Sequence, residues 1–116
     1  MKLDETSIPP KIESMEEPFD GATAQRYIRM ILDGPGMTVF TRRAKEEFLE
    51  NDMTSGDAVN VLRGGRVSTG AQTAFGWTYR AETKRMGVEC SFRGQERDSA
   101  AEPNELVIVS AWRNDR

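Results

Sequence analysis

FTRRAKEEFLENDMTSGDAVNVLRGGRV, residues 40–67, predicts two short helices in tandem and sets the fold of the chain. Thr41 can cap the first helix, which ends at Asn51. Thr54, followed three residues later by Asp57, resembles the capping box that begins a second helix, and Gly64 ends it. Each helix has apolar residues at helical spacing, so one side of each is predicted to be buried. The predicted core positions are Ala44, Phe48 and Leu49 in the first helix and Ala58, Val61 and Leu62 in the second.

A longer helix and a strand are predicted before this stretch. Asp20 suits an N-cap, the apolar residues after it have the spacing of an amphipathic helix, and Gly34 ends the pattern. Met37–Phe40 is short and β-prone and predicts a strand. Residues 1–19 contain three prolines and several acidic residues without periodicity. We therefore expect a flexible acidic arm over residues 1–19, either solvated or folded back on a basic surface, and a single domain over residues 20–116.

After residue 65 the apolar spacing changes to every second residue, which is typical of strands. Residues 77–82 and 86–93 predict two antiparallel strands, joined by a turn at residues 83–85. Residues 106–111 are nearly all apolar and predict a central strand that is covered on both faces. The remaining predictions are a short strand at 66–68 and loops at 70–76 and 94–104. The sum is an α+β domain in which two or three helices pack on one face of a three- to four-stranded antiparallel sheet.

The composition excludes several kinds of active site. The chain has no histidine, so a Ser-His-Asp triad, a Cys-His pair and the usual zinc sites are excluded. Its one cysteine, Cys90, lies in an alternating apolar run and is interpreted as a small buried hydrophobic residue. Catalysis would depend on Glu, Asp, Lys, Arg or Tyr, and no cofactor is expected. With no secretion signal and no apolar run of about 20 residues, we expect a cytoplasmic protein with no membrane segment.

The net charge of −3 is unevenly distributed along the chain. Residues 1–20 contain two lysines and six acidic residues, a net charge of −4, whereas residues 21–116 contain 14 basic and 13 acidic residues. Twelve of those 14 basic residues are arginines, which make bidentate contacts with phosphate better than lysines do. The body of the protein is therefore mildly cationic and suits an anionic partner.

Polar side chains that alternate with the apolar ones give the two predicted strands a candidate catalytic face. Arginines can hold a phosphate and stabilise the charge that develops on it, while Glu or Tyr can move the proton of a ribose 2′-hydroxyl. This set suits RNA cleavage without a metal, and the candidate catalytic residues are Arg80, Glu82, Lys84, Glu89, Arg93 and Tyr79. Alternating Arg and Glu are also common on exposed strands, where a cross-strand pair such as Arg80 with Glu89 stabilises the sheet. The pattern alone favours this structural interpretation, and for Tyr79 it favours a core position.

A second group of cations supplies the candidate RNA-binding residues. The first helix of the tandem pair begins with three cations, which oppose the helix dipole, and this mismatch indicates an anionic partner. Solvated surface charge is the structural alternative. With a cation at the hairpin and one after the last strand, the candidate RNA-binding residues are Arg42, Arg43, Lys45, Arg85 and Arg113. Trp112 is either a core residue, which is favoured, or a base-stacking platform.

Four segments of the chain, in this order, resemble a known family. They are TRRA at residues 41–44, MTSGDAVNVLRG at 53–64, WTYR at 77–80 and ELVIVSAW at 105–112. Together they are similar to the small toxins of the RelE-like superfamily, in particular the MqsR-like proteins and a related domain family that neighbours BrnT. The resemblance covers about residues 23–113. One departure is Arg43, which stands where many relatives have a histidine before the alanine of the first motif.

The resemblance implies an mRNA endoribonuclease, free or associated with the ribosome. It would be the toxin of a type II toxin–antitoxin system, neutralised by an antitoxin of the helix-turn-helix type. A ribose 2′-hydroxyl would attack the adjacent phosphate, with three arginines on the phosphate, a glutamate as base and a lysine or tyrosine as acid. Arg80, Arg93 and Arg113 would hold the phosphate. Glu82 or Glu89 would be the base, and Lys84 or Tyr79 would be the acid.

Two other functions remain open from the sequence. One is a non-catalytic binding or regulatory module on the same fold. The other, ranked last, is DNA binding through the tandem helices. It is ranked last because the second helix exposes few side chains that could read bases, and the acidic residues before it would repel a phosphate backbone.

Overall fold

Five strands of the chain form one mixed sheet, and three helices accompany them in a computed structural model that describes residues 17–74, 76–94 and 102–115. The elements in chain order are α1 (Gly21–Asp33), β1 (Met37–Phe40), α2 (Arg42–Glu50), α3 (Ser55–Gly64), β2 (Arg66–Thr73), β3 (Gly76–Glu82), β4 (Met86–Arg93) and β5 (Glu105–Arg113). The α+β class is therefore confirmed. None of the helices in these ranges is long and apolar enough to cross a bilayer.

The sheet is larger than predicted, and one of its strand pairs is parallel. Its strand order is β1-β5-β4-β3-β2, and β1 runs parallel to β5 while the other neighbours are antiparallel. The strand at Met37–Phe40 was predicted, but its partner was not, because the pairing joins segments almost 70 residues apart, such as Val39 with Val107. The prediction of a central strand is confirmed: β5 lies between β4 and β1 and is buried from Leu106 to Ala111.

Helix α1 begins and ends where the sequence predicts. The Asp20 side chain accepts a hydrogen bond from the Thr23 N–H at 2.8 Å, and the helix ends at Asp33 before Gly34. Its buried residues are Ala24, Tyr27, Ile28 and Ile31, which repeat at the spacing of one helical face. The helix packs mainly against β2 and α3 and also contacts β1 and β5, so α1 lies across the sheet.

Helix α2 is capped by Thr41 as predicted, but one of its predicted core residues is exposed. The Thr41 hydroxyl accepts from the Ala44 N–H at 3.1 Å. Ala44 and Phe48 are buried, whereas Leu49 is 83% exposed. Successive helical residues are about 100° apart around the axis, so Leu49 points away from the side on which Phe48 meets the sheet. Met53, after the helix, is buried instead.

The capping box of α3 is present in full. The Thr54 hydroxyl accepts from the Asp57 N–H at 3.0 Å, and the Asp57 carboxylate accepts from the Thr54 N–H at 2.9 Å. The two bonds satisfy two N–H groups at the start of the helix that have no partner within it. Ala58, Val61 and Leu62 are buried as predicted.

Replacing Thr54 with alanine should lower the free energy of unfolding by about 1 kcal/mol, the typical effect of losing an N-cap hydroxyl. The neighbouring exposed Ser55, the first residue of the helix, provides the control as Ser55→Ala. Urea denaturation of both variants and the wild type measures the difference. Equal loss in the two variants would argue against the cap.

Strand β2 extends through a segment that was predicted to be a loop. Thr73 pairs with Gly76, so the connection to β3 is a tight hairpin. The register shifts between Thr69 and Gln72, and at this irregularity the Thr78 hydroxyl contacts both the N–H and the carbonyl of Ala71 at 3.2 Å. The side chain of Thr78 thus replaces the backbone hydrogen-bond partner that Ala71 would have in a regular strand pair. The sequence pattern gave no sign of this exchange, because the residues at 70–74 are small and polar.

The core lies between the helices and one face of the sheet, and it includes a residue from the predicted arm. Phe19 is only 3% exposed, and its ring lies 5.0 Å from that of Tyr27 and 5.7 Å from that of Phe92. The predicted domain boundary at residue 20 is therefore too late, since the chain is packed into the core before α1 begins. The rest of the predicted arm, residues 1–16, lies outside the described residues.

Candidate functional site

The sheet has two chemically different faces. The inner face packs against the helices, and its buried residues include Tyr79, Ala81, Val88, Cys90, Phe92, Leu106, Ile108 and Ala111. The burial of Cys90 is as predicted, and it raises the pKa of the thiol. The opposite face is called the outer face, and by strand alternation and register it carries Arg66, Ser68, Thr78, Arg80, Glu82, Gly87, Glu89, Ser91, Arg93, Glu105, Val107, Ser110 and Trp112.

Four residues of the outer face form a group that we call the Arg80 cluster: Arg80, Glu82, Glu89 and Trp112. Arg80 lies directly opposite Glu89 on the neighbouring strand, as the sequence predicts. Its Nη2 atom is 4.0 Å from Glu82 Oε2, and its guanidinium carbon is 4.7 Å from the centre of the Trp112 ring. The Arg80 side chain is 49% exposed, so this cation is oriented by its neighbours and still accessible.

Glu89 is fixed by a buried hydroxyl. Its Oε2 atom accepts from the Thr78 hydroxyl at 2.7 Å, and Thr78 itself is fully buried. The hydroxyl of Ser91, directly opposite Thr78, is also buried and has no hydrogen-bond partner among the residues that the structure describes. Glu89 is therefore a half-buried carboxylate whose orientation is set by Thr78, at the strand position opposite Arg80.

Arg93 lies on the outer face but away from the Arg80 cluster. It is four residues along β4 from Glu89, which corresponds to about 13 Å at the usual rise per strand residue. Its cross-strand neighbour is Glu105. Lys84 and Arg85 occupy the exposed turn between β3 and β4, where Arg85 Nε donates to Asp115 at 3.3 Å. Of the three arginines predicted to bind phosphate, only Arg80 thus lies in the same cluster as Glu82 and Glu89.

Tyr79 is not on the outer face with the candidate glutamates, so the structure argues against its predicted role as an acid. Its side chain points to the inner face and is fully buried. The hydroxyl donates to Glu17 Oε2 at 2.8 Å and accepts from the Phe19 N–H at 2.9 Å. Burial is the main reason that the pKa of Tyr79 is raised. Both its place and its bonds make it part of the core, the alternative that the alternation favoured.

Arg113 is also on the inner face, so its predicted role in holding RNA is corrected. It donates to the carbonyls of Asn51 and Asp52 at 3.3 and 3.2 Å, and its Nε donates to Asp115 at 3.0 Å. The bond from Arg113 lowers the pKa of Asp115 to about 2. Arg113 therefore fastens the end of the sheet to the turn between α2 and α3.

A β-bulge explains why this arginine was misplaced. Cys90 pairs with Ile108 while Glu89 pairs with Ser110, so Val109 is an extra residue in β5. Each such insertion reverses which side chains face which side of the sheet. Beyond the bulge Ala111 and Arg113 turn inward, and Ser110 and Trp112 turn outward.

The cations of α2 are paired with acids of the same helix. Arg42 Nε lies 3.3 Å from Glu46 and Arg43 Nε lies 3.2 Å from Glu47, each one helical turn away. These ion pairs offset the unfavourable placement of cations at the N-terminus of the helix. That placement was the reason to expect an anionic partner. The exposed Lys45 is on the same helix, which packs against the inner side of β5. The structure therefore does not bring Arg42, Arg43 and Lys45 together with the Arg80 cluster.

Glu17 is a titratable residue within the predicted acidic arm, residues 1–19. It is half-buried, and this burial raises its pKa above the ordinary value of 4.5, although the bond from Tyr79 acts in the opposite direction. No sequence signal marks it, because its partner Tyr79 is 62 residues away. Within the described ranges, no three acidic or cysteine side chains gather in a way that could hold a metal ion.

The stability of the protein should depend on pH through Glu17. Because its folded-state pKa lies above 4.5, the folded chain holds the proton more tightly than the unfolded chain does. The free energy of unfolding should therefore fall as pH rises from about 4.5 through the raised pKa. In Glu17→Gln, whose amide oxygen can still accept from Tyr79, this fall should be absent. Urea denaturation over a pH series measures it, and a wild type that gains stability over the variant in this range would contradict the prediction.

The Arg80 cluster is accessible at the surface, since the side chains of Arg80 and Glu82 are 49% and 40% exposed. Grooves of about 420 and 470 Å³ lie elsewhere, one lined by Pro35, Gly36 and Met37 and the other by residues that include Leu32 and Phe40. Small-molecule sites are usually concave and mostly apolar, whereas this cluster is charged and exposed.

In comparisons with models of protein families, with curated proteins and with solved structures, nothing matches the chain.

Proposed function

We propose that the protein binds RNA on the outer face of its sheet and cleaves it without a metal, as the toxin of a type II toxin–antitoxin system in the cytoplasm. The observation that carries the proposal is the direct cross-strand pairing of Arg80 with Glu89, beside Trp112. The role as a toxin, with a helix-turn-helix antitoxin as partner, is carried by the sequence resemblance alone.

The reaction assigned to the cluster is an internal transfer of the phosphate. Glu89 takes the proton of the ribose 2′-hydroxyl, and the 2′-oxygen then forms a bond to the adjacent phosphorus. The bond from phosphorus to the 5′-oxygen breaks, and this oxygen takes a proton. Tyr79 is in the core, so the proton donor is assigned to Lys84, whose long side chain would reach the site from the exposed turn between β3 and β4. The products are a 2′,3′-cyclic phosphate and a 5′-hydroxyl.

The surroundings of the two central residues support this assignment. Thr78 fixes the carboxylate of Glu89, while Glu82 and Trp112 orient the guanidinium of Arg80. Charged groups that are oriented before the reaction stabilise developing charge without a cost of reorganisation. Arg80 then neutralises the non-bridging oxygens as negative charge accumulates on them.

The test is cleavage of a single-stranded RNA of defined sequence by the purified full chain in the presence of EDTA. We expect products that end in a 2′,3′-cyclic phosphate, and we expect Glu89→Gln to slow cleavage by about 10²–10⁴-fold, the usual contribution of a general base. Glu46→Gln on α2 is the matched control and should cleave like the wild type. RNA that stays intact, together with normal growth on induced expression, would refute the proposal.

A second candidate is a non-catalytic RNA-binding module on the same fold. Two observations favour it: Arg93 lies far from the cluster, and Tyr79 and Arg113 lie on the inner face of the sheet. This alternative predicts that RNA binding depends on Arg80 and that no cleavage product forms at any protein concentration. Gel-shift and cleavage measurements on the same samples distinguish the two functions.

A further inference from the structure

Trp112 lies flat across the neighbouring strand because residue 87 has no side chain. Gly87 is the cross-strand partner of Trp112. A Cβ atom built at Gly87 would overlap the indole ring of Trp112, at atoms of both its five- and six-membered parts. The ring therefore rests on the backbone of β4 and extends from β5 toward β3. Even alanine at this position would have to displace the ring.

Arg80 reaches the same ring from the other side. It projects from β3, and its guanidinium carbon lies 4.7 Å from the centre of the Trp112 ring, within the range of a cation–π contact. Backbone, indole ring and guanidinium thus form consecutive layers on the outer face. The outermost layer is exposed, since about half of the Arg80 side chain is accessible to solvent.

This arrangement has the chemistry of a base-binding platform. Unpaired nucleobases stack on aromatic rings and on arginine guanidinium planes in proteins that recognise single-stranded RNA. The edge of a guanidinium still has N–H donors for a phosphate when its face is occupied by a ring. A base inside a duplex has both faces covered by its neighbours and cannot use such a platform.

We propose that Gly87, Trp112 and Arg80 form a stacking subsite for one unpaired nucleobase and thereby direct the protein to single-stranded RNA. This inference rests on the proposed function, because it assigns the substrate class of the same site. The base stacks on the exposed face of the Arg80 guanidinium, and Trp112 is the positioning residue that holds this guanidinium in place. Gly87 is required because it leaves room for the ring.

The test uses Trp112 as its own reporter. The chain has two tryptophans, so Trp77→Phe in the full-length protein leaves Trp112 as the single fluorophore. A short single-stranded oligouridylate should quench its emission, whereas a blunt duplex RNA of equal length should not. Gly87→Ala in this background should weaken binding of the oligouridylate by about tenfold or more, in line with the loss of one stacked base.

The chain offers a matched control for the glycine substitution. A Cβ atom at Gly64 would meet nothing within 4 Å, so Gly64→Ala should bind like the parent. Trp112→Leu, measured by gel shift, keeps the apolar bulk without the aromatic plane and tests the same loss if Gly87→Ala does not fold. Arg80→Lys keeps the charge but not the plane and should also lose the preference for single strands.

The outcomes separate this inference from the proposed function. Quenching by single-stranded RNA without any cleavage would uphold the subsite and refute the endoribonuclease. Cleavage that is equally fast in the parent and in Trp112→Leu, with no quenching, would refute the subsite and uphold the endoribonuclease. Equal quenching by duplex and single-stranded RNA, or unchanged binding in both Gly87→Ala and Trp112→Leu, would also overturn the subsite.

Discussion

Replacing Phe19 with alanine should lower the free energy of unfolding by about 3–5 kcal/mol, the range seen when a buried aromatic ring is removed. The ring is 3% exposed and lies within 6.0 Å, centre to centre, of the rings of Tyr27, Tyr79 and Phe92. Its removal would leave a cavity between α1 and the sheet that these rigid neighbours cannot fill. Most small domains have a total stability of about 5–15 kcal/mol, so the variant should be close to unfolding at room temperature.

Leu49→Ala is the matched control for this experiment. Leu49 has a similar apolar content but is 83% exposed, so its replacement should change the free energy of unfolding by no more than about 0.5 kcal/mol. Urea or thermal denaturation of the wild type and the two variants measures both values. A small effect at Phe19 would place the boundary of the folded domain at residue 20, where the sequence alone puts it.

Replacing Arg80 with alanine should reduce RNA cleavage by about 10²–10³-fold, the loss expected when one preorganised donor to a developing oxyanion is removed. In the proposed mechanism Arg80 stabilises charge that grows during the reaction, so the effect should fall on the rate at saturating RNA more than on the affinity. Single-turnover cleavage with excess protein measures this rate directly.

Arg26→Ala is the control for charge alone. Arg26 is an exposed cation of α1, on the side of the molecule opposite the outer face. It should cleave RNA at nearly the wild-type rate, although binding at low salt weakens slightly with any lost cation. Similar losses in the two variants would show that the protein responds only to its overall charge and would remove Arg80 from the chemistry.

The parts of the fold that follow from local signals were predicted well. The caps at Asp20, Thr41 and Thr54 depend on bonds that span three residues, and the alternation along β3 and β4 depends on neighbours two residues apart. Such interactions are visible within a short window of sequence. The cross-strand pairing of Arg80 with Glu89 follows from the same local information, because a short turn fixes the register of a hairpin.

Several of the failed predictions depend on contacts between distant segments, whereas the exposure of Leu49 and the extension of β2 are local. The parallel pairing of β1 with β5 and the burial of Phe19 against Tyr79 each join residues at least 60 positions apart. The bulge at Val109 leaves no mark in a run that is nearly all apolar, so the facing of Trp112 and Arg113 was reversed. As a result, the candidate site gained an aromatic residue, Trp112, and lost Arg113.

The bulge at Val109 has a consequence in genetic terms. A deletion of that one codon would make Ile108 and Ser110 adjacent, and they would pair regularly with Cys90 and Glu89. Every remaining residue of β5 would keep its side of the sheet, with Trp112 on the outer face and Arg113 on the inner face. A single in-frame deletion at this point would thus remove the bulge without changing the surface chemistry. The strand carries one codon more than its pairing needs.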